Sequence, residues 1–326
     1  MKIFSFFLIL IVLYFIGHGL FLLSHPQEIE TQVFEIGKGE TAIEIANRLA
    51  ENNIIRSRML FYLYTKLTRK SKGLDYGKYL FEGKLSILDI AERIQRGKIF
   101  LKKVTIREGL SLKETFRVIA KKGFTTYRKL MKTANDSNFL DEILTIKVQS
   151  LEGFLYPETY YFPEKINPEY IIKTIVNEFY NQICDINFTK CQTLDFYEIL
   201  ILASIIEKEA QIDSEKPVIA SVYLNRLETG MKLQADPTVA YTLEELGKNR
   251  HKIYYKDLKI ESPYNTYLYQ GLPPTPICSP TISSIKAVIY PEQTDYYFFF
   301  ANNGRHIFSK TYRQHILKQN KILTNN

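Results

Sequence analysis

The segment LASIIEKEAQ, residues 202–211, ends an apolar run with two carboxylates. An α-helix turns by roughly 100° per residue, so Glu207 and Glu209 would point about 200° apart and could not form one acid–base pair. Glu209 would lie over the bulkier apolar stripe, which includes Ile205 and Ile206. Apolar surroundings disfavour the charged form of a carboxyl group and raise its pKa, as a general acid requires. The pattern therefore predicts Glu209 as a proton donor and Glu207 as a structural partner of lysine or arginine.

Charged residues also cluster wherever a helix leaves the protein core, so a purely structural interpretation of Glu209 stays open at this point. Two-carboxylate glycosidases need a second acid on another segment. Glu158 lies in the aromatic stretch LEGFLYPETYYFP and Asp236 lies in MKLQADPTVAYTL, and their spacing does not choose between them. The prolines of the first stretch argue against a helix there, and its aromatic rings suit the apolar faces of sugars.

A short strand, a turn and a capped helix recur between residues 30 and 123. The cap pairs are Thr41 with Glu44, Ser86 with Asp89, and Ser111 with Glu114. In a capping box each side chain accepts a hydrogen bond from the backbone N–H of the other residue. The first unit, IGKGETAIEIANRL, resembles the lysin-motif fold, a small carbohydrate-binding module. The same pattern would equally suit a structural spacer.

The rest of the chain mixes helical and strand-like segments. Asn303-Gly304 stands between two strand-like runs and predicts a hairpin. The predicted helices cover residues 167–182, 195–211, 213–227 and 312–323. We therefore expect an α+β protein with an N-terminal transmembrane helix, small lysin-motif-like α/β units and a larger mixed domain. The expected boundaries are 1–25, 26–103 and 104–326.

Residues 3–23 contain no Asp, Glu, Lys or Arg. About 20 apolar residues span a bilayer as a helix, whereas the apolar region of a cleaved signal peptide is shorter and precedes a small-residue cleavage site. No clear cleavage site follows here, so the sequence predicts an uncleaved, single-pass anchor in the cytoplasmic membrane. Lys2 would lie inside, and residues from about 26 onward would lie outside. A cleaved signal peptide would predict the same compartment.

The composition, with 43 Lys and Arg against 35 Asp and Glu and a net charge of +8, favours an anionic neighbour. The basic residues are scattered and no nucleic-acid motif accompanies them, so nucleic acid is not expected as a partner. The cysteines match neither a disulfide scaffold nor a zinc pattern. Cys184 and Cys191 are close enough to pair, but free buried thiols, Cys278 included, are the alternative.

Four stretches together resemble the endolytic murein transglycosylases of the YceG-like family. They are EGFLYPETYYF, LASIIEKEA, EKPVIASVYLNRLETGMKLQADPTVAY and SPYNTYLYQGLPPTPICSP. They occur in the order of the family, and the resemblance extends from the anchor to about residue 317. It implies that residues 104–326 form the catalytic domain.

The resemblance also implies an activity. The enzyme would cut nascent peptidoglycan strands internally, between N-acetylmuramic acid and N-acetylglucosamine, and would leave anhydro-muramoyl ends. The second glutamate of the Glu-Lys-Glu motif, which is catalytic in the family, matches Glu209. Ala210 follows it, where many transglycosylases have Ser or Thr. No metal or organic cofactor is implied, and peptidoglycan synthases (penicillin-binding proteins) are the implied partners.

Further positions match motif positions of the family and are expected around the cleft as sugar and peptide contacts. They are Glu158, Asn225, Gln234, Asp236, Thr238, Tyr241, Tyr264, Asn265 and Tyr267. Asn225 could equally cap the turn after its helix, and Asp236 could equally cap the next helix.

Two alternatives to the lytic transglycosylase remain on the sequence alone. A non-catalytic, wall-binding scaffold protein would leave Glu209 exposed and dispensable. An ordinary two-carboxylate hydrolase would produce reducing ends instead of anhydro ends and would need a second acid across the cleft from Glu209.

Overall fold

The structure is a computed structural model that describes residues 2–68, 74, 76–96, 101–164, 166–248 and 252–325. The chain divides into two compact units, which comprise residues 1–102 and 103–326.

The described residues of unit 1 form one antiparallel strand pair and four helices. In chain order its elements are α1 (Lys2–Ser24), β1 (Gln27–Ile36), α2 (Ala42–Glu51), α3 (Arg58–Leu67), β2 (Gly77–Leu85) and α4 (Ile87–Arg96). Strands β1 and β2 pair over nearly their whole length, with Phe34 opposite Tyr79, and both of these rings are buried. The buried apolar faces of α2 and α4 share one core with the buried side chains of this sheet, as their amphipathic sequences require.

The predicted caps of unit 1 are confirmed. Thr41 and Glu44 form a reciprocal capping box at the start of α2. The shorter Asp89 serves the same purpose at the start of α4, where its Oδ2 accepts from the backbone N–H of Ser86 at 2.8 Å. The likeness of this region to the lysin-motif fold is not confirmed.

The predicted anchor over residues 3–23 falls on helix α1. Within the described ranges of the chain, no helix combines the length and apolar character that crossing a membrane requires. The transmembrane assignment is therefore not confirmed.

Unit 2, over the residues that are described, consists mainly of helices and contains two short strand pairs. Its elements are β3 (Leu101–Thr105), which starts at the boundary, α5 (Leu112–Lys121), α6 (Tyr127–Ala134), α7 (Ser137–Ile143), β4 (Thr159–Pro163), α8 (Pro168–Ile183), α9 (Phe196–Glu209), α10 (Lys216–Glu228), α11 (Asp236–Glu245), α12 (Ile282–Ile289), β5 (Phe298–Asn302), β6 (Arg305–Ser309) and α13 (Tyr312–Asn325). Strand β3 pairs with β4, and β5 pairs with β6. This arrangement confirms the predicted α+β character.

Helix α9 lies at the centre of unit 2 and packs against α10, α11 and α12. Every residue from 199 to 206 is buried, so the helix is enclosed by protein on all sides until its last turn. Asp195 and Glu198 form a capping box that starts the helix. The helix ends at Glu209 because the backbone of Ala210 is extended, with φ −64° and ψ 130°.

The predicted hairpin of unit 2 is confirmed, and one predicted helix starts two residues later than expected. The hairpin β5–β6 turns at Asn303 and Gly304, whose φ angles of 49° and 78° are those that asparagine and glycine tolerate best. The helix predicted to open at Ser214 instead begins at Lys216, after a 3₁₀ turn over Asp213–Glu215.

The cysteines are free. The possible disulfide between Cys184 and Cys191 is not formed, and Cys184 is exposed, so the expectation of buried thiols holds only for Cys278.

Candidate active site

Glu209, the last residue of α9, is half-buried and contacts a tyrosine of α10. The hydroxyl of Tyr223 donates a hydrogen bond of 2.7 Å to Oε1 of Glu209. Tyr223 is itself only 1% exposed, so its hydroxyl has little access to other partners. Oε2 of Glu209 accepts no hydrogen bond from the described residues and is not buried. One carboxyl oxygen is therefore held by the protein, and the other is open to a ligand.

Burial raises the pKa of Glu209 to about 7. The hydrogen bond from Tyr223 and the positive charge of Arg226 act in the opposite direction, and the negative charge of Asp236 adds to the increase. Burial dominates because a carboxylate loses more hydration free energy than one hydrogen bond returns. Glu209 therefore gains and loses its proton near neutral pH, well above the range of an ordinary glutamate.

Arg226 lies one helical turn after Tyr223 on α10. Its Nε donates to the carbonyl oxygen of Tyr297 at 2.7 Å, and its Nη1 donates to the carbonyl oxygen of Leu233 at 2.7 Å. The guanidinium group also lies 5.3 Å from the centre of the Phe298 ring. Arg226 thus joins α10, the hairpin and the segment before α11, and it places a buried positive charge near Glu209.

Three of the predicted site residues, Gln234, Asp236 and Tyr267, lie near Glu209 or Arg226. Asp236, the first residue of α11, is exposed and accepts a hydrogen bond of 2.5 Å from the hydroxyl of Tyr267. Gln234 is exposed, with a positive φ of 50°, and its Oε1 lies 3.5 Å from Nη1 of Arg226. Burial is the main reason why the pKa of Tyr267 is raised. The hydrogen bond to Asp236 and the negative charges of Asp236 and Glu209 raise it further.

The sequence singled out neither Tyr223 nor Arg226. Both stand in the quoted stretch SVYLNRL, three residues apart and therefore on one face of α10. This spacing was the available signal, but only the packing of α10 against α9 shows that the face meets Glu209.

Glu207 points away from Glu209, as helical geometry predicts, and it is structural. Its Oε2 accepts from the backbone N–H and the hydroxyl of Thr281, at 2.9 Å and 2.6 Å, and from the hydroxyl of Ser284 at 2.6 Å. The Nζ of Lys216 lies 3.4 Å away. Glu207 therefore caps the start of α12, and the predicted pairing with a lysine is confirmed.

Glu158, the other candidate for a second acid, does not act on Glu209 as Asp236 does. It is exposed, and its Oε1 accepts from the backbone N–H of Thr159 at 2.7 Å. It lines a shallow pocket with Arg107 on the β3–β4 side of unit 2. Its charge is not among the causes of the raised pKa of Glu209. Of the two candidates for a second acid, the structure brings only Asp236 into electrostatic contact with Glu209.

Two predicted contact residues are buried parts of the framework. Thr238 donates to the carbonyl oxygen of Ala235 at 2.7 Å, at the start of α11, and its hydroxyl lies 2.9 Å from that of Thr266 in the loop after α11. Asn265 donates to the carbonyl oxygens of Leu258 and Ile260, at 3.1 Å and 2.8 Å. Both are fully buried, so as they stand they hold the loop after α11 and do not reach the surface beside Glu209.

Asn225 does not cap the end of its own helix. Its Nδ2 donates to the carbonyl oxygens of Thr294 and Tyr296, each at 2.9 Å, and thereby fastens α10 to the segment before the hairpin. It lies two residues after Tyr223, on the opposite side of α10, where it lines a cavity of about 540 Å³ together with Cys191.

Tyr241 and Tyr264 belong to a second buried carboxyl site, around Glu152. Their rings contact each other with centroids 4.9 Å apart. The hydroxyl of Tyr241 donates to Oε2 of Glu152 at 3.1 Å, and the backbone N–H of Leu112 donates to both carboxyl oxygens, at 2.9 Å and 3.0 Å. Burial raises the pKa of Glu152 to about 8. Glu152 was not among the predicted site residues, because of the two glutamates in the stretch LEGFLYPETYYFP only Glu158 matches a motif position of the family.

Within the part of the chain that the structure describes, His, Cys, Asp and Glu side chains do not gather in a group of three or more that could hold a metal ion. A carboxyl group with a pKa of about 7, one held oxygen and one open oxygen can donate and accept a proton near neutral pH.

Residues 34–321 match the YceG-like family. A Bacillus subtilis (strain 168) protein named endolytic murein transglycosylase is 31% identical over 306 residues, which cover 89% of this chain and 84% of that protein. A protein of the same name from Streptococcus pneumoniae serotype 2 (strain D39 / NCTC 7466) is 27% identical over 295 residues. That match covers 82% of this chain but only 53% of the pneumococcal protein. The 2.6 Å crystal structure of a putative YceG-like protein from Listeria monocytogenes has a TM-score of 0.61 and 33% identity, and covers 88% of this chain and 98% of that one.

Proposed function

Because the chain belongs to the YceG-like family, we propose that it is an endolytic lytic transglycosylase that cleaves peptidoglycan glycan strands with Glu209 as the proton donor. The observation that carries this proposal is the carboxyl group of Glu209, whose pKa is raised to about 7 and whose Oε1 is held by Tyr223. The names of the bacillar and pneumococcal relatives agree with this activity.

In the proposed reaction, protonated Glu209 donates its proton from the open oxygen to the glycosidic oxygen, and the bond to the anomeric carbon of N-acetylmuramic acid breaks. The N-acetyl group of the substrate shares the positive charge that develops at this carbon, as in substrate-assisted glycosidases. The hydrogen bond from Tyr223 and the charge of Arg226 stabilise the carboxylate that Glu209 becomes.

The second step restores the proton. The carboxylate of Glu209 takes a proton from the C6 hydroxyl of the same sugar, and the C6 oxygen closes on the anomeric carbon to give the anhydro end. Glu209 therefore finishes protonated, as it began, and no water is consumed. A pKa near neutrality suits both steps, because the same group must act first as an acid and then as a base.

A two-carboxylate hydrolase is the second candidate, and the position of Asp236 favours it. Asp236 is the acid that is electrostatically coupled to Glu209. In a hydrolase it would act on water or as a nucleophile. Against this role, Asp236 already accepts a short hydrogen bond from Tyr267. Mass spectrometry of the products separates the two candidates, because hydrolysis adds one water that the lytic reaction does not.

Substitution of the proton donor tests the proposal directly. Glu209→Gln keeps the size of the side chain but cannot donate a carboxylic proton, so we expect cleavage of uncrosslinked glycan to fall by about 10²–10⁴-fold. Glu228→Gln is the matched control, since Glu228 is an exposed glutamate at the end of α10. Unchanged cleavage by Glu209→Gln, with the fold intact by circular dichroism, would exclude Glu209 as the donor.

The location and cellular role are also part of the proposal. We place the chain in the cytoplasmic membrane through residues 3–23, with the rest outside, because this stretch carries no Asp, Glu, Lys or Arg. There it would terminate elongating strands beside peptidoglycan synthases. Protease added to intact spheroplasts should digest residues beyond 26, and protection of these residues would contradict the orientation.

A further inference from the structure

Helix α3 of unit 1 exposes large apolar side chains. Phe61 and Thr65 are fully buried on its inner side. Met59, Leu63 and Leu67 follow each other at four-residue spacing on another side, and they are 66%, 38% and 81% exposed. A contiguous apolar strip of this kind on a helix usually marks an interaction surface.

The charged residues of α3 and of the loop before it are all basic. Residues 52–68 contain no aspartate and no glutamate, while Arg56, Arg58 and Lys66 are all exposed. Exposed apolar side chains bordered by basic ones are characteristic of helices that lie in the surface of an anionic bilayer. An acidic protein partner would match the charges as well, but the position of α3 in the unit favours the bilayer.

That position is beside the end of α1. Cδ2 of Leu60 lies 3.7 Å from where a Cβ on Gly19 would stand, and Leu23 packs against the core of unit 1. Gly19 and Leu23 form the outer end of the segment 3–23. If this segment is in the membrane, α3 lies at the level where the bilayer meets water.

We propose that α3 is an interfacial helix. Its apolar strip (Met59, Leu63 and Leu67) inserts among the lipids of the outer leaflet, and its basic side chains contact anionic headgroups. The inference rests on the proposed attachment through residues 3–23 and goes beyond it, because it gives unit 1 a second, lipid-dependent contact. This contact fixes unit 1 against the membrane surface, whereas a single anchoring helix would leave it free to rotate.

The test uses the full-length protein in vesicles of phosphatidylcholine alone or of phosphatidylcholine with an equal amount of phosphatidylglycerol. Leu63→Cys, in a background of Cys184→Ser and Cys191→Ser, carries a fluorophore on the strip, and Cys278 is too buried to react. A second protein, Cys191→Ser alone, carries the fluorophore on exposed Cys184 of unit 2. Nitroxide-labelled lipid should quench the probe at position 63 at least about threefold more than the probe on Cys184 in anionic vesicles.

Charge variants test the lipid preference. Each basic side chain near an anionic surface strengthens binding about fivefold. Removing three should therefore lower the ratio of proteins with α3 docked on the bilayer to proteins with α3 undocked by about 10²-fold. The variant is Arg56→Gln/Arg58→Gln/Lys66→Gln, and the matched control is Lys252→Gln/Lys256→Gln/Lys259→Gln, which removes three exposed lysines of unit 2. The variant should reduce lipid quenching to the level seen in neutral vesicles, and the control should not.

Several results would overturn the proposal. One is equal quenching of the two probes by lipid in anionic vesicles. Another is shielding of the probe at position 63 from water that appears only when peptidoglycan or another protein is added. Failure of the proposed attachment through residues 3–23 is distinguishable from failure of the α3 proposal, because the protein would then not co-float with neutral vesicles in a density gradient. Failure of the enzymatic proposal is distinguishable as well, since glycan cleavage in detergent is measured without vesicles and should be the same in the α3 variants and the wild type.

Discussion

The hydrogen bond between Tyr223 and Glu209 should set the pH range of cleavage. Tyr223→Phe removes the hydroxyl that donates to Oε1 at 2.7 Å, while the ring keeps its edge-to-face contact with Phe299, at 5.7 Å between centroids. This hydrogen bond lowers the pKa of Glu209 against the effect of burial. Its loss therefore raises the pKa above the present value of about 7.

The size of the effect follows from the nature of the bond. A hydrogen bond to a charged group contributes about 1.5–3 kcal/mol, and 1.36 kcal/mol corresponds to one pH unit. Glu209 must be protonated to begin the reaction, so wild-type kcat/KM should fall as pH rises through about 7. In Tyr223→Phe this fall should move upward by about one to two pH units. The maximal rate should drop by about tenfold or more, because the carboxylate formed in the transition state loses its donor.

The assay is the release of anhydro-muramoyl products from uncrosslinked glycan between pH 5 and pH 10. Tyr160→Phe is the matched control: Tyr160 is also buried, and its hydroxyl donates to the carbonyl oxygen of Tyr156 at 2.8 Å, away from Glu209. This control should leave the alkaline fall unchanged. A fall that stays near pH 7 in Tyr223→Phe, or that moves to lower pH, would refute the assignment of Tyr223 as the hydrogen-bond donor that lowers the pKa of Glu209.

Two further substitutions concern stability. Glu207→Gln weakens the buried cap of α12, where Oε2 of Glu207 serves both Thr281 and Ser284, and should lower the free energy of unfolding by about 2–3 kcal/mol in urea; a loss below that of an exposed glutamate such as Glu228 would contradict the capping role. Glu152 has a folded-state pKa raised to about 8 from 4.5, so its contribution to stability is fully present below pH 4.5 and is lost as pH rises toward 8. Glu152→Gln should therefore flatten the decline in stability between pH 5 and pH 8, and an unchanged slope in thermal unfolding would argue against a protonated Glu152.

The local elements of this protein could largely be predicted from the sequence. The capping pairs of α2, α4 and α5 form as predicted, and Asn303-Gly304 forms the hairpin turn. These features depend on residues within four positions of each other, where backbone geometry alone determines which side chains can meet. Helix α10 begins at Lys216, two residues later than predicted. The residues before it, Asp213–Glu215, form a 3₁₀ turn, in which the backbone N–H of Lys216 donates to the carbonyl oxygen of Asp213.

The candidate site could be predicted only in part. The sequence selected Glu209 over Glu207 from helical periodicity, and the structure places the two carboxylates with different partners, as that argument requires. Thr238 and Asn265 were expected at the cleft, but they are buried and hydrogen-bonded to backbone. Polar residues that stabilise a loop and polar residues that bind sugar have the same composition, so pattern alone does not separate them.

The sequence by itself determined that Glu207 and Glu209 face opposite sides of one helix, since the turn per residue of an α-helix is independent of its surroundings. Only the tertiary structure decided which groups complete the site of Glu209: Tyr223 from α10 donates to it, and Asp236, not Glu158, is the acid coupled to it. The reason is physical. The distance between two side chains on different elements depends on how those elements pack, and the number of residues between them does not specify that packing.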